Sequence, residues 1–371
     1  MGFSGVFIRV SIGEIAVFLA GKGMKMPEER ARTAYSSNFG TEHKPMKRIL
    51  TGIQSNGNPH LGNILGAILP AIQMSNAPNV ESFLFIADLH ALTSLKNKNV
   101  IEENTNSVAA AWLAFGLDVK RSVFYRQSRV PMVTELAWFL NCFAPFPMLA
   151  NAHSFKDKSE RLADVNAGLF TYPMLMAADI LLYQANEVPV GKDQVQHLEM
   201  TRDVAGAMNR YAETELFVLP QTKVSEEVMI VPGTDGQKMS KSYGNIINIF
   251  LSEKELDKVV KTIVTDSTPM EEPKDPQRCN VYALYKLVAS PEQATEMAAH
   301  YRAGGYGYGH AKRALLEVLW QRFDEPRKAY RYWMENPAEL NRALETGEEK
   351  AASVASETLN RVRQHLGYGR M

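Results

Sequence analysis

The chain has 371 residues, with 41 Lys and Arg against 41 Asp and Glu, so its net formal charge is zero. Hydrophobic residues make up 45% and charged residues 22%, which excludes a fibrous or wholly disordered chain and leaves room for two or three folded domains. Zero net charge argues against a protein that coats nucleic acid non-specifically, but a local basic patch could still bind a specific RNA.

The first 45 residues stand apart from the rest. Residues 6–20 are apolar, but Arg9 and Glu14 interrupt them, so the ~20 clean residues of a membrane span are not available. The polar stretch that follows shows no periodicity. A signal or transit peptide is an alternative, although acidic residues are unusual in transit peptides. We predict that residues 1–45 are a poorly ordered extension, or follow a rarely used upstream start, and that the folded protein begins near Met46.

From Met46 to about residue 250, short apolar runs alternate with amphipathic stretches. Alternating strands and helices predict a parallel sheet covered by helices, and such sheets bind ligands at the carboxyl ends of their strands. The predicted strands are 48–53, 83–87, 122–126 and 187–190. The predicted helices lie near 60–74, 100–115, 133–142, 173–184 and 194–211.

After about residue 250 the strand signal disappears and only helical periodicity remains, interrupted by a Pro-, Glu- and Lys-rich loop at 267–278. The predicted fold is therefore an α/β, Rossmann-like catalytic domain with inserted helices at 46–250, followed by an all-helical domain at 251–371. The predicted helices of the second domain are 252–264, 280–290, 291–301, 310–323, 325–335, 337–345 and 347–366.

The two cysteines, Cys142 and Cys279, lie far apart in the sequence. Two distant thiols cannot form a zinc ribbon or a disulfide scaffold. We expect both to be small buried side chains of a reducing cytosol.

The first strand leads into a turn-rich loop, residues 54–60, and then into a helix. A strand, a loop and a helix start place backbone N–H groups and a positive helix end in one crevice, which is typical of an anion site. His60 and Asn63 lie three residues apart in the first helical turn, so both can face one ligand, and Gly62 leaves space for a flat base or a ribose. A loop with a capping histidine is the alternative interpretation.

A second candidate phosphate loop is Lys238-Met239-Ser240-Lys241-Ser242, which follows the glycine-flanked residues 233–237. Two lysines and two hydroxyls on such a loop can wrap a polyphosphate and supply charge to a leaving group. A solvated basic loop would explain the same composition.

Together these residues resemble the class I aminoacyl-tRNA synthetases, and most closely the bacterial tryptophan-specific branch. His60-Leu61-Gly62-Asn63 is similar to the first family signature, His-Ile-Gly-His, and residues 238–242 match the second without change. The resemblance covers about 46–368. Asn63 replaces the final histidine of the first signature; it can donate and accept hydrogen bonds but carries no charge. No protonated imidazole at that position can therefore be essential.

A third segment, residues 172–183, carries the resemblance to the tryptophan branch. On a helix Tyr172, Met176 and Asp179 share one face, and Asp179 is a carboxylate in an otherwise apolar run. An indole has one donor and no acceptor, so a lone acceptor in an aromatic- and Met-lined pocket suits it. An Asp–Arg pair between helices is the alternative. The resemblance implies that Asp179 binds the indole; His90 could line the pocket or be a satisfied core residue.

The resemblance also implies roles for further residues. Asp193 would bind ribose and Gln194 the amino-acid head group, although Asp193 could instead cap a helix. Lys158 matches a mobile family lysine, or is part of a charged surface run, and Lys192 stands where many relatives have an acid. The implied catalytic residues are Lys238, Lys241, Lys158, His60 and Gln54. The implied ATP-binding residues are Gln54, Ser55, Asn56, His60, Gly62, Asn63, Gly191, Lys192, Asp193, Val228, Met229, Lys238, Met239, Ser240, Lys241 and Ser242. The implied tryptophan-binding residues are Asp179, Tyr172, Met176, His90 and Gln194.

The implied activity is a cytoplasmic ligase that joins L-tryptophan to tRNA(Trp) with ATP and Mg²⁺, works as a homodimer and needs no membrane. No carboxylate cage for the metal is visible in the sequence. Basic side chains of the helical domain suit anticodon contact, although a solvated helical face explains them equally well; they are Lys312, Arg313, Arg322, Arg327, Lys328 and Arg331. A tyrosine-specific relative, a non-catalytic RNA-binding paralogue and a small-molecule adenylyltransferase are the rival interpretations.

Overall fold

The computed structural model describes residues 46–153, 155–156, 165–224 and 231–369. The chain from residue 45 onwards forms one compact unit. The prediction for residues 1–45 lies outside the described residues. Among the helices that are described, none is long and apolar enough to cross a membrane.

The centre of the unit is a five-stranded sheet in the order β3-β2-β1-β4-β5, with every neighbouring pair parallel. The strands are β1 (Lys47–Gln54), β2 (Val80–Ala87), β3 (Val123–Arg126), β4 (Glu187–Val190) and β5 (Gln221–Val224). The first four confirm the predicted α/β sheet. The sequence missed β5 because the run Gln-Thr-Lys-Val has no apolar pattern; an edge strand has one neighbour and tolerates polar residues.

Helices surround the sheet and follow it in the chain, which confirms the predicted α/β fold with a helical C-terminal part. A π-helical turn, Ile64–Ile68, joins α1 to α2. The helices of the sheet region are α1 (Leu61–Asn63), α2 (Leu69–Ser75), α3 (Asp88–Ala91), α4 (Lys98–Ala114), α5 (Met132–Phe143), α6 (Phe146–Ala150), α7 (Ala167–Leu182) and α8 (Val195–Ala212). The later helices are α9 (Glu253–Lys261), α10 (Asn280–Val288), α11 (Pro291–Ala303), α12 (Tyr308–Arg322), α13 (Asp324–Glu335) and α14 (Pro337–His365).

The last helix corrects one prediction. The sequence suggested two helices divided near Gly347, whereas α14 runs through this residue without a break. A Cβ atom at Gly347 would lie 2.8 Å from both the backbone carbon and the backbone nitrogen of Phe124 in β3. The glycine is therefore a contact residue that lets a continuous helix touch the strand, and the usual signal of glycine as a helix end misled the prediction.

The sheet has an apolar layer on each face because successive residues of a strand point to opposite sides. Leu84 and Ile86 of β2 pack with α2 and α4 and with the core of the later helices. Phe83 and Phe85 pack on the other face, with α5, α7 and α8. The inner strand β2 is therefore buried from Ser82 to Ala87, while β4 is mostly half-buried.

The two cysteines differ in exposure. Cys279 is buried as expected, but the same prediction is wrong for Cys142, which is exposed. The reason is the orientation of α5: its inner face carries the buried Leu136 and Leu140, while Cys142 lies four residues after the exposed Trp138 on the outer face.

Candidate active site

The first candidate phosphate loop leaves β1 at the carboxyl edge of the sheet and ends in a capping box. The His60 Nδ1 atom accepts a hydrogen bond from the Asn63 backbone N–H at 3.3 Å, and the Asn63 side chain accepts one from the His60 backbone N–H at 3.2 Å. His60 thus does cap the helix, as the alternative interpretation proposed. Burial, followed by the nearby Lys241, lowers the pKa of His60 to about 4, so its imidazole is neutral at pH 7.

The second candidate loop is held by a buried asparagine. The Asn245 side chain accepts from the Ser240 N–H at 2.8 Å and donates to the Asp235 carboxylate at 2.7 Å and to the Lys238 carbonyl at 3.1 Å. Ser240 and Ser242 share a hydrogen bond between their hydroxyls at 2.8 Å. The Lys238 side chain is exposed. The loop is therefore ordered from inside while its polar atoms remain accessible.

The two loops touch each other. The Lys241 ammonium donates to the Gly57 carbonyl at 2.6 Å, and the Gly62 N–H faces the Met239 sulfur at 3.3 Å. Burial lowers the pKa of Lys241 to about 8. The space beside Gly62 is bounded by the His60 ring, 3.0 Å from a Cβ placed there, and by Met239. Segments 177 to 184 residues apart in the sequence thus form one crevice rich in N–H donors and positive charge.

Asp179 lies on α7 with two partners that the sequence did not pair with it. Its carboxylate accepts from the His90 Nε2 atom at 2.8 Å and from the Gln127 amide at 2.8 and 2.9 Å. Among the described residues no arginine contacts Asp179, so the arrangement that the structure shows is not the Asp–Arg alternative. Burial raises the pKa of Asp179, and the hydrogen bonds from His90 and Gln127 oppose that shift. The result is a buried, oriented carboxyl group that keeps unused acceptor capacity.

A second polar group lies where β4 ends. The Tyr172 hydroxyl donates to Gln194 at 3.0 Å, and His197 contacts the same amide oxygen at 3.0 Å. The Gln194 amide donates to Asp193 at 2.9 Å. Helix α8 begins after Gln194 without a side-chain cap, so Asp193 does not cap it, and its side chain is exposed.

One cavity of about 940 Å³ joins these groups. It runs along the carboxyl ends of β1 and β4, between α7 and the π-helical turn. Its lining includes nine of the predicted site residues: Gln54, Asn63, His90, Tyr172, Met176, Asp179, Gly191, Asp193 and Gln194. The cavity therefore brings residues predicted for ATP together with residues predicted for tryptophan.

The other predicted site residues that the structure describes are not part of the cavity lining. Ser55 is buried, and its hydroxyl has no hydrogen-bond partner among the described residues. Asn56 donates to Gln54 at 2.9 Å, and Lys192 is exposed. Three predicted residues lie outside the described residues: Lys158, Val228 and Met229. The roles of all these residues remain predictions.

Two features of the cavity were missed by the sequence analysis. Gln127 lies in a short 3₁₀ turn after β3 and shows no pattern of its own. Gly52, inside β1, has the Phe85 ring beneath it, 2.5 Å from a Cβ placed there. A glycine inside a strand is a known sign of close approach, so Gly52 was detectable, whereas Gln127 was not.

The basic residues of the later helices differ in availability. Lys312 and Arg322 donate to backbone carbonyls at 2.8 and 2.6 Å, and Arg327 is buried over the Trp320 ring at 3.7 Å. Lys328 pairs with Asp324 at 2.7 Å and with Glu325 at 2.8 Å. Arg313 and Arg331 are exposed and have no ion pair within the described part of the chain.

The family model described as tRNA synthetases class I (W and Y) matches residues 42–324. The chain belongs to this family. Both signature loops, the sheet and the cavity fall within the matched residues. The parallel sheet and the cavity at its strand ends thus lie in the part of the chain that the family model covers.

Individual relatives point to one branch of the family. The chain is 44% identical over 320 residues to the tryptophan–tRNA ligase of Campylobacter jejuni (strain RM1221), covering 86% of this chain and 99% of that protein. It is 46% identical over 321 residues to the tryptophan–tRNA ligase of Rhodopirellula baltica, again covering 86% and 99%. A crystal structure of the tryptophanyl-tRNA synthetase of C. jejuni complexed with ADP and tryptophan superimposes with a TM-score of 0.82, at 44% identity and with the same coverage.

Proposed function

We propose that this chain activates L-tryptophan with ATP to tryptophanyl-adenylate and pyrophosphate, and then transfers tryptophan to tRNA(Trp). The observation that carries the proposal is the buried carboxyl group of Asp179 in a cavity that also reaches Gln54 and Asn63, beside the first signature loop. The second signature loop contacts the first through Lys241 and Met239. An acceptor at one end and phosphate-binding loops at the other match the two substrates of the first step.

Indole recognition follows from the hydrogen bonds of Asp179. His90 and Gln127 hold its oxygens in place, and a carboxylate can accept about four hydrogen bonds, so one remains for the indole N–H. Phenylalanine would leave that acceptor unpaired, and sites of this kind reject such analogues by about 10⁴–10⁵-fold. Tyrosine also has a donor, so its exclusion depends partly on the shape of the cavity.

The first step is an in-line displacement at phosphorus. A carboxylate oxygen of tryptophan forms a bond to the α-phosphorus of ATP, the bond from that phosphorus to the bridging oxygen breaks, and pyrophosphate leaves with the electron pair. Little proton transfer is needed, so positioning and electrostatic stabilisation dominate. Lys238 and Lys241 would stabilise the charge that develops on pyrophosphate, together with Lys158 as the resemblance implies. His60, neutral at pH 7, would donate a hydrogen bond without adding a positive charge.

Mg²⁺ would enter with ATP. Within the described residues, no group of three or more His, Cys, Asp or Glu side chains is arranged to hold a metal ion. The donors in the crevice are N–H groups and lysines, which bind phosphate rather than metal. The metal would therefore be held chiefly by phosphate oxygens, where it would neutralise negative charge.

In the second step a hydroxyl of the terminal tRNA ribose attacks the tryptophanyl carbonyl carbon, and AMP leaves as the ester forms. The same cavity must admit this ribose beside Gln194 and Asp193. We assign anticodon contact to the helical part of the chain, residues 251–371. The candidates there are Arg313 and Arg331, because both are exposed and form no ion pair among the described residues.

A homodimer is part of the proposal. Trp138 on α5 is 67% exposed and Phe146 at the start of α6 is 71% exposed, an unusual cost for two large apolar side chains on neighbouring helices. A second copy that covers this face would remove the cost. Trp138→Asp should shift the molecular mass measured by light scattering from dimer to monomer, with the exposed Tyr332→Asp as control. A wild-type monomer at micromolar concentration would contradict the dimer.

Because its substrates belong to protein synthesis, we place the activity in the cytoplasm. The decisive assay is ATP–pyrophosphate exchange with tryptophan, with tyrosine and with neither amino acid. Exchange with tryptophan alone is expected. Exchange with tyrosine alone would favour the tyrosine-specific alternative, and no exchange would favour the RNA-binding paralogue. Exchange that proceeds without charging of tRNA would favour the adenylyltransferase.

A further inference from the structure

A second cavity, of about 650 Å³, opens on the outer side of the same sheet edge. It lies between the start of α4, the turn after β3 and the first residues of α14. The catalytic cavity is on the opposite side of a thin wall. Asp88 lines the second cavity and His90 the first, and two residues span at most ~7 Å between Cα atoms.

The charges of this second cavity favour an anion. Four cationic residues line it, Lys96, Lys98, Arg126 and Arg129, against two carboxylates, Asp88 and Glu102. The Asp88 carboxylate is already used, because it accepts from the Ser128 hydroxyl and N–H and from the Leu89 N–H. Glu102 is exposed to solvent. The acidic side chains therefore offset only part of the positive charge.

Two of the cations have no ion-pair partner among the described residues. Arg126 is held by Glu348 at 2.5 Å and by Asn341 at 2.7 Å, so it shapes the wall. Lys98 and Arg129 are exposed and form no ion pair in the part of the chain that the structure describes. They lie on separate segments, one at the start of α4 and one after β3, yet line the same cavity.

An unsatisfied hydroxyl lies deeper in the same cavity. Thr105 on α4 is 6% exposed, and its hydroxyl has no hydrogen-bond partner among the described residues. A buried polar group without a partner is costly, and such exceptions call for a ligand or a water. A hydroxyl donor in the same lining as two cations that form no ion pair among the described residues matches the oxygens of a phosphate group.

We propose that this cavity binds a phosphate group of the RNA substrate within a few nucleotides of its acceptor end. The inference rests on the proposed function, because the acceptor ribose must reach the catalytic cavity directly across the wall. Lys98 and Arg129 supply the charge, and Thr105 donates a hydrogen bond. The contact adds affinity for RNA and takes no part in tryptophan activation.

The test uses the full-length protein and a transcript of tRNA(Trp). The double variant Lys98→Gln/Arg129→Gln is compared with wild type and with Lys120→Gln, an exposed lysine just before β3 at the opposite end of the strand. At ~0.1 M salt, the Kd for tRNA should rise about tenfold in the double variant and the salt slope should fall by about 2. Thr105→Val should raise the Kd about threefold and leave the salt slope unchanged. Lys120→Gln should change neither.

Three readouts separate the outcomes. Tryptophan-dependent pyrophosphate exchange without tRNA should stay within about twofold of wild type in every variant; its absence in the wild type would instead refute the proposed function. A Kd and salt slope in the double variant equal to those of Lys120→Gln would overturn the inference. A second result would also overturn the inference: the double variant keeps the wild-type affinity for tRNA, but it alone loses the thermal stabilisation that inorganic phosphate or AMP gives the wild type. The cavity would then bind a free phosphate compound.

Discussion

Replacement of Gly347 by alanine tests how the sheet edge and α14 are joined. Alanine is favoured over glycine inside a helix by about 1 kcal/mol, so on helix propensity alone the variant would be more stable. The contact with β3 acts in the opposite direction. The new methyl carbon would lie closest to the Phe124 carbonyl oxygen and 2.8 Å from the carbonyl carbon, where ordinary contacts begin at about 3.5 Å, so α14 would have to withdraw by more than ~0.7 Å.

The backbone atoms of Phe124 cannot rotate out of the way as a side chain can, so the strain falls on the interface between α14 and β3. Overpacking costs about 1–3 kcal/mol, and withdrawal also loosens the hydrogen bonds from Arg126 to Glu348 and Asn341. We expect Gly347→Ala to lower the free energy of unfolding by about 2 kcal/mol net. Because unfolding entropy is about 2.1 cal/mol/K per residue, a unit of this length should lose roughly 3 °C in Tm. Thermal unfolding monitored by circular dichroism measures the change.

The matched control is Gly309→Ala. Gly309 is also in a helix, α12, but is exposed, and a Cβ there meets no atom within 4 Å. This variant should be neutral or more stable by up to ~1 kcal/mol. If Gly347→Ala raised Tm as much as Gly309→Ala, the close contact between α14 and β3 would be refuted.

Three further predictions concern the site. Gln127→Leu removes two hydrogen bonds to the Asp179 carboxylate. Because a hydrogen bond to a charged group contributes about 1.5–3 kcal/mol, the KM for tryptophan should rise at least tenfold while the KM for ATP is unchanged. An equal rise in both KM values would show that Gln127 is merely structural. With its pKa lowered to about 8, Lys241 loses its charge as pH rises, so kcat/KM for ATP should fall above pH 8, and Lys241→Arg should move that fall to higher pH. Between pH 8 and its unfolded value of 10.5 the folded state binds fewer protons at Lys241, so this residue's contribution to the free energy of unfolding should rise with pH there; a fall would contradict the shift. Asn245→Ala removes three hydrogen bonds that order the second loop. The kcat of pyrophosphate exchange should therefore fall at least tenfold, with little change in the KM for tryptophan. An unchanged kcat would show that the loop is ordered without Asn245.

The chemistry of the site was readable where it depends on neighbours in the sequence. His60 and Asn63 are three residues apart, and their mutual capping follows from one helical turn. Lys238 and Lys241 share one short loop, and Asp179 is conspicuous as a carboxylate in an apolar run. In each case the residues that form the recognisable pattern lie within a few positions of each other in the sequence.

What only the tertiary structure decided is which distant residues meet. His90 is 89 residues from Asp179, and Lys241 is 184 residues from Gly57. No periodicity specifies such pairs, because they depend on how the sheet orders its strands and how helices pack across them. The same holds for β5, for the continuous α14 and for the second cavity. The sequence by itself determined most element types, the family and the two candidate phosphate loops, because these reflect local backbone preferences and local composition. Packing determined the partners of Asp179 and the wall between the two cavities.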